Sequence, residues 1–312
     1  MRARSVRAVI GVLAVLGTTI ACSNDNTTGP SGSATPSASS STTSASPSAS
    51  SGTPSTTSSA SATTGTASGT LRSIPVYYVA ESQRSFKLYR EFRTVPDRGG
   101  AVASAVGAMT SVAPLDPDYL SPWRPASRIT VSRKGTGLVV DLSSDAFSNT
   151  NVGSELAATA IQQLVYTATA AASQAGTPAT TVTITKDGKP ADVWGVLRIG
   201  TATRRAPLLD VQAQVWVTSP QQGDVRKAGK VGFAGFGTSF EATFGWVVRT
   251  SAGKTVAHGS AMGGTGTGGF GPFSYSARLQ PGTYIVVVST DDPSGGAGAN
   301  GPATDDKQFT VR

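Results

Sequence analysis

The chain has 312 residues and a formal net charge of +8, and only 14% of its residues are charged. It contains one cysteine and one histidine. These counts exclude an intramolecular disulfide, a zinc site built on several thiolates and a multi-histidine metal centre. The length allows two or three domains.

The beginning of the chain is predicted to be an export signal that ends at the only cysteine. Three arginines precede the apolar run at residues 8–16, which is too short to cross a bilayer. The segment Thr19-Ile20-Ala21-Cys22 resembles a bacterial lipobox, in which the cysteine becomes the lipid-modified first residue. We therefore expect residues 1–21 to be a lipoprotein signal peptide and Cys22 to carry the lipid. The alternative is an ordinary secretory signal with a cysteine that stands there by chance.

Residues 22–70 are predicted to be a disordered tether. From residue 27 to residue 70 the chain contains only Ser, Thr, Ala, Pro and Gly, so no large apolar group offsets the entropy of ordering it. A flexible chain of this length spans roughly 35–42 Å. The folded part is therefore expected to lie close to the outer face of the membrane.

Residues 71–205, the first domain, show a mixed pattern that predicts an α+β fold in the order β-β-α-β-β-α-β. Residues 86–95 fit either a strand or a helix, and Ser154 is predicted to be the N-cap of the second helix. The other predicted elements are a strand at 74–79, a helix at 101–112, a hairpin from 129–131 and 138–142, and a strand at 181–185.

Residues 206–312, the second domain, alternate apolar and polar residues, which predicts an immunoglobulin-like β-sandwich. The alternation is clear at 211–217, 244–248 and 273–277. No cysteine is present in this part, so the predicted sandwich lacks the disulfide of antibody domains. Trp246 is predicted to be the aromatic centre of its core.

Two ordered series of motifs resemble known families. The first series is similar to the GerMN domain of GerM-type sporulation and germination lipoproteins; its segments are 76–79, 88–93, 114–119, 139–142 and 160–167. The second is similar to the immunoglobulin-like domain of bacterial spore germination; its segments are 217–223, 240–242, 271–273 and 279–284. The pair, behind a lipobox and a tether, resembles actinobacterial lipoproteins of this type.

This resemblance implies a protein that is not an enzyme and needs no cofactor. It implies a scaffold or binding role at the outer face of the cell membrane, linked to sporulation, germination or envelope assembly. The expected partners are the membrane, through the lipid, and an envelope protein or cell-wall component; nucleic acid is not expected. A receptor for a small ligand or wall fragment is the alternative, and a hydrolase is a third hypothesis.

The candidate binding surface combines the densest basic cluster with neighbouring aromatic residues. Its members are Tyr77, Tyr78, Arg84, Lys87, Tyr89, Arg90 and Arg93. Aromatic and arginine side chains are enriched at contacts with other molecules. The alternative interpretation is a solvated charged face with ordinary half-buried strand tyrosines.

Other polar residues are weaker candidates. His258 is predicted to be a structural or surface residue, because no nucleophile or carboxylate accompanies it in the sequence. Asp116 and Asp118 are predicted to shape a turn rather than to form an acid pair. The pairs at 291–292 and 305–306 are interpreted as solvated turn acids, with a calcium site as the alternative.

Overall fold

The computed structural model describes residues 69–265, 268–291 and 301–312. The predicted signal peptide, Cys22 and all but the last two residues of the predicted tether lie outside this part of the chain, as does Asp292. All of these described residues belong to one compact unit. Within the described ranges, no helix is long and apolar enough to cross a bilayer.

The first domain combines a long antiparallel ribbon with a four-stranded sheet and two helices. Its strands are β1 (Thr70–Ser82), β2 (Ser85–Pro96), β3 (Ile129–Lys134), β4 (Gly137–Leu142), β5 (Thr181–Lys186), β6 (Ala191–Val193), β7 (Leu197–Ile199) and β8 (Ala202–Thr203). Its helices are α1 (Ala101–Ser111) and α2 (Ser154–Gln174), with a 3₁₀ turn at Ser144–Phe147. The sheet order is β3-β4-β5-β8, with β4 and β5 parallel. The predicted α+β order is confirmed, and three short strands follow it.

The segment at residues 86–95, which fitted either a strand or a helix in the sequence, forms a strand. Residues 86–95 lie in β2, where Arg90 faces Tyr77 and Tyr89 faces Tyr78 on β1. The two strands are joined by Gln83 and Arg84, both with positive φ. Positive φ at both central residues is the geometry of the tight hairpin turn that matches strand twist.

Helix α2 packs along the ribbon and the sheet through its apolar stripe. Fully buried members of that stripe are Ala157, Ala160, Leu164, Val165 and Ala168. The prediction that Ser154 caps this helix is wrong, because Gly153 occupies the cap position and no side chain bonds there. Glu155 instead accepts a hydrogen bond from the backbone N–H of Phe86 in β2, at 3.1 Å.

The second domain is a sandwich of two sheets, and the predicted fold is confirmed. A short helix, α3 (Leu208–Val211), precedes it. The strands are β9 (Val215–Ser219), β10 (Val225–Arg226), β11 (Gly229–Gly237), β12 (Thr243–Thr250), β13 (Thr255–Met262), β14 (Gly271–Leu279), β15 (Gly282–Thr290) and β16 (Thr304–Val311). One sheet has the order β14-β11-β9 and the other β10-β16-β15-β12-β13.

Two details of the predicted sandwich are wrong. Of the alternating residues 211–217, only those from Val215 onward form a strand. Val211 is instead the last residue of α3. Trp246 is half-buried rather than central, and the fully buried rings of this core are Phe244 and Phe309. The indole of Trp246 packs against Gly259 of the edge strand β13. A Cβ on Gly259 would lie only 2.7 Å from the indole.

Strand β9 contributes to two hydrophobic cores. Val215 and Val217 belong to the sandwich core, whereas Trp216 belongs to the core of the first domain. Successive side chains on a strand point to opposite faces. The two domains therefore meet along β9, and Trp216 is only 1% exposed.

Candidate functional site

The three tyrosines of the candidate surface are buried. Tyr77, Tyr78 and Tyr89 are 2%, 0% and 3% exposed, so the prediction that they form an exposed aromatic surface is wrong. Tyr77 packs edge-on against Tyr166 of α2, and Tyr89 stacks on Tyr119 at 4.6 Å. Both faces of the ribbon are thus covered. Burial raises the pKa of Tyr89 to about 12.

The four cations of the same surface separate from one another. Arg84 is exposed at the hairpin turn, and Lys87 donates to the carbonyl of Asp210 at 2.7 Å. Arg93 forms an ion pair with the buried Glu91 at 2.6 Å. Because Lys87, Arg90 and Arg93 are three residues apart on a strand, neighbouring members point to opposite faces. The predicted basic cluster is therefore not one patch.

Arg90 lines a cleft between the ribbon and the last turns of α2. The cleft has a volume of about 330 Å³. Its walls are formed by Pro75, Tyr77, Arg90, Phe92, Ala170, Ser173, Gln174 and Arg205. The cleft includes two residues of the predicted surface and adds Arg205, which sequence reasoning missed.

Aromatic rings hold the guanidinium group of Arg90. Its central carbon lies 5.0 Å from the ring centre of Phe92, 5.9 Å from that of Phe236 and 6.0 Å from that of Trp216. Such contacts attract a cation to the ring face. The Nε atom of Arg90 is buried and has no hydrogen-bond partner among the described residues.

Arg205 is fixed on the other wall of the cleft. Its guanidinium carbon lies 4.6 Å from the ring centre of Tyr166. Its Nε donates to the hydroxyl of Thr169 at 2.7 Å, and one terminal nitrogen donates to the carbonyl of Tyr166 at 3.3 Å. Guanidinium has five N–H donors, so further donors of Arg205 stay available.

A buried ionic cluster joins the two domains. Lys307 of β16 bonds to Asp116 at 2.6 Å, to the hydroxyl of Tyr119 at 2.7 Å and to both oxygens of Asp305 at 2.7 and 2.8 Å. Asp116 and Tyr119 come from the first domain. Tyr119 also donates to Asp305 at 2.7 Å, and the backbone N–H of Val217 donates to the same carboxylate at 2.6 Å. Every member is therefore bonded to at least one other.

Burial and charge pairing act against each other in this cluster. Burial alone would lower the pKa of Lys307, but the neighbouring Asp305 and Asp116 outweigh it and raise the pKa above its usual value. Burial raises the pKa of Asp305, opposed by the attraction of Lys307. Burial and the same two carboxylates hold the pKa of Tyr119 well above its usual value.

Comparison with protein families identifies both domains. Residues 75–192 match the family described as sporulation and spore germination. Residues 214–297 match the family described as immunoglobulin-like domain of bacterial spore germination. The chain carries a germination-type domain pair. The predicted resemblance is confirmed for the GerMN-like domain and for the immunoglobulin-like domain, and neither family description names an enzyme.

Two solved structures that are similar to this chain each cover 31% of it. The fibronectin(III)-like modules of CbhA from Clostridium thermocellum are 16% identical, over 31% of this chain and 95% of theirs, with a TM-score of 0.23. CopC from Methylosinus trichosporium OB3b is 20% identical, over 31% of this chain and 92% of its own, with a TM-score of 0.24. No curated protein matches the chain.

The acidic candidates take structural positions. Asp116 of the GerMN-like domain accepts a hydrogen bond from the backbone N–H of Asp118 at 3.0 Å, which confirms the predicted turn role. The interpretation of Asp305 as a solvated turn acid is wrong, because it is buried against Lys307. Asp291 accepts hydrogen bonds from the hydroxyl of Ser239 and from the backbone N–H of Phe240. Within the described residues, no group of three or more His, Cys, Asp or Glu is placed to hold a metal ion.

His258 lies on β13 of the immunoglobulin-like domain, an edge strand, and is exposed. It faces Val247 across the sheet. In the sequence, His258 stands out only because it is the single histidine.

The arginine cleft and the ionic cluster differ from His258, because each brings together residues that are far apart in the chain.

Proposed function

We propose that this protein is a non-enzymatic cell-envelope lipoprotein. Cys22 carries the lipid and holds the protein on the outer face of the cell membrane. The germination-type domain pair acts there as a scaffold or binding module for another envelope protein or a cell-wall component. The matched families support a role in sporulation or germination, and envelope assembly is the alternative that we keep.

The observation that carries the proposal is the presence of two germination-type matches within one compact unit. Lys307 and its partners connect the two domains through buried bonds rather than through a flexible joint. A rigid pair suits a scaffold, because a fixed spacing between two surfaces reduces the entropy lost on binding.

The anchoring part of the proposal is tested by Cys22→Ala expressed in the native host. We expect the wild type to fractionate with membranes, and its N-terminal peptide to carry the mass of a lipid-modified cysteine. The variant should leave the membrane fraction or accumulate as a precursor. Ser23→Ala is the matched control and should behave as wild type. Membrane retention of Cys22→Ala protein from which the signal peptide has been removed would contradict the anchor.

The binding part is tested by crosslinking in native membranes followed by mass spectrometry. We expect the anchored wild type to recover a defined envelope partner and the unanchored Cys22→Ala protein to recover much less of it. Recovery of no envelope component by the anchored protein would count against a scaffold role.

A second candidate function is a receptor for a small ligand or wall fragment. The arginine cleft favours it, because two cations line a concave site of ligand size. Thermal-shift screening with small anionic ligands separates the receptor from the scaffold, since a scaffold without a ligand site shows no shift.

A further inference from the structure

We propose that the cleft between Arg90 and Arg205 is a binding site for a phosphate group, either free or esterified to a small polyol. The inference concerns the chemistry of the cleft and holds whether or not Cys22 is lipid-modified. No carboxylate stands among the residues that line the cleft. The two guanidinium groups therefore bring two positive charges to it without a neutralising partner in its walls.

The charge of the cleft is not explained by structural ion pairing. Arg93, on the same strand, has its carboxylate partner in Glu91. Among the described residues, the guanidinium group of Arg90 has ring contacts but no carboxylate partner, and its buried Nε has no hydrogen-bond partner. A ligand in the cleft would bond to the terminal nitrogens of Arg90, because Nε is closed off from solvent.

The rings around Arg90 also orient it. Three aromatic faces belonging to Phe92, Trp216 and Phe236 restrict where the guanidinium plane can lie. An arginine that is held in advance loses less rotamer entropy when it binds, and its planar fork matches phosphate oxygens.

The total charge favours a phosphate over a carboxylate. A phosphate monoester carries about −1.5 to −2 charges at neutral pH, which two guanidinium groups balance. The end of α2 adds about half a negative charge, which is smaller than the two full positive charges. The exposed hydroxyl of Ser173, which also lines the cleft, supplies a neutral donor.

The size of the cleft limits the ligand. A volume of about 330 Å³ lies at the lower end of the range for small-molecule sites, roughly 300–1,000 Å³. It accommodates a phosphate and a short polyol, such as glycerol phosphate. Longer anionic polymers would enter with one unit at a time.

The test is isothermal titration calorimetry on the full chain purified in detergent, at constant ionic strength. Glycerol phosphate, inorganic phosphate and acetate are the three probes. We expect saturable one-to-one binding of a phosphate probe and weaker binding of acetate. Tighter binding of glycerol phosphate supports an esterified ligand, and equal or tighter binding of inorganic phosphate supports the free anion.

Three variants decide whether the cleft is responsible. Arg90→Gln and Arg205→Gln should each weaken phosphate binding by about tenfold or more, since each removes charged hydrogen bonds. Arg84→Gln removes the same charge from the exposed hairpin turn and should change the affinity by less than about twofold, because solvent and salt screen it. Near-ultraviolet circular dichroism checks that each variant is folded.

The Arg205→Gln variant keeps the proposal testable if the Arg90→Gln variant does not fold. If Arg90→Gln unfolds because its aromatic contacts are lost, the exposed Arg205 still provides the decisive variant. Absence of saturable phosphate binding in the wild type would overturn the proposal. Equal weakening by Arg84→Gln and Arg205→Gln would overturn it as well, because it would show a general electrostatic effect.

Discussion

Lys307 shows how one residue connects the two domains. Its side chain is 3% exposed, and its ammonium group bonds to two carboxylates and a phenol. A buried charge is tolerated only when its partners replace the lost water. The cluster meets that condition with groups from both domains.

The first prediction follows from this burial. Lys307→Met leaves two buried carboxylates without their cation and should lower the free energy of unfolding by about 3–5 kcal/mol. The matched control is Arg198→Met, which breaks the exposed pair Arg198–Asp192, whose side chains are 67% and 70% exposed. The control should cost less than about 1 kcal/mol. Urea unfolding measures both, and equal costs would contradict a dominant buried cluster.

Tyr275 is the opposite case, a buried polar atom without a partner. Its hydroxyl bonds to none of the described residues, while its ring stacks on Trp246 at 4.4 Å and on Phe233 at 4.8 Å. Burial raises the pKa of its hydroxyl. The folded protein therefore retains a proton that the unfolded tyrosine releases near pH 10.

The second prediction uses Tyr275→Phe, which keeps the ring and removes the hydroxyl. At pH 7 the free energy of unfolding should stay unchanged or rise by up to about 1 kcal/mol. A raised pKa contributes stability that is present below about pH 10 and is lost as the pH rises further. The variant should therefore lose less stability than the wild type between pH 8 and pH 10.5, as measured by urea unfolding.

The control for this prediction is Tyr284→Phe. The hydroxyl of Tyr284 donates to the carbonyl of Gln280 at 3.0 Å, so its removal should cost about 0.5–1.5 kcal/mol at pH 7. A comparable loss in Tyr275→Phe would indicate that the Tyr275 hydroxyl has a favourable partner after all.

At the scale of elements, β11 depends on glycine where it crosses the sandwich core. A Cβ on Gly235 would stand 2.0 Å from the buried ring of Phe273 on β14. Gly232, three residues earlier, has no atom within 4 Å of such a Cβ. Packing therefore requires glycine at position 235 of β11 but not at position 232.

The third prediction compares alanine at these two positions. Gly235→Ala should destabilise the protein by about 1–3 kcal/mol, because Phe273 is buried and has little room to move. Gly232→Ala should be neutral or slightly stabilising, since alanine restricts the unfolded chain more than glycine does. Thermal unfolding measured side by side checks the pair. Similar melting temperatures for the two variants would refute the packing argument.

At the scale of the whole molecule, two hydrogen bonds to the backbone of one residue support the domain junction. Gln221 accepts from the N–H of Phe92 at 2.6 Å and donates to the carbonyl of Phe92 at 2.9 Å. The neighbouring Gln222 instead accepts from the N–H of Gln308 within the immunoglobulin-like domain, at 2.7 Å. Of these two adjacent glutamines, Gln221 bonds across the domain junction and Gln222 bonds within its own domain.

The fourth prediction concerns cooperative unfolding. Calorimetry on the wild type should show one transition with equal calorimetric and van't Hoff enthalpies, because the domains share β9 and the ionic cluster. Gln221→Ala combined with Lys307→Met should separate this into two transitions. Gln222→Ala combined with Lys307→Met is the matched control and should separate them less. Two independent transitions in the wild type would show that the junction does not couple the domains.

Much of the fold follows from local pattern. The helix at Ala101–Ser111 and the alternating strands of the sandwich have periods that the sequence displays directly. The sequence also predicts the strand β1 but not the burial of its tyrosines, because Tyr77 and Tyr78 are part of the predicted binding surface. The predicted elements depend on residues within a few positions of each other.

The candidate sites could not be predicted from local sequence pattern, because their residues are distant in the chain and come together only in the folded protein. Asp116 and Lys307 are 191 positions apart, and no spacing rule predicts that they form an ion pair. Likewise, Arg90 and Arg205 line one cleft although they belong to distant segments.

The sequence by itself determined the α+β and sandwich architecture, the germination-type resemblance and the single cysteine that we expect to carry lipid. The tertiary structure decided which of the predicted surface residues are exposed, which arginines lack a carboxylate, and that β9 serves two cores. The physical reason is that secondary structure depends on local periodicity, whereas burial and charge pairing depend on which distant faces cover one another.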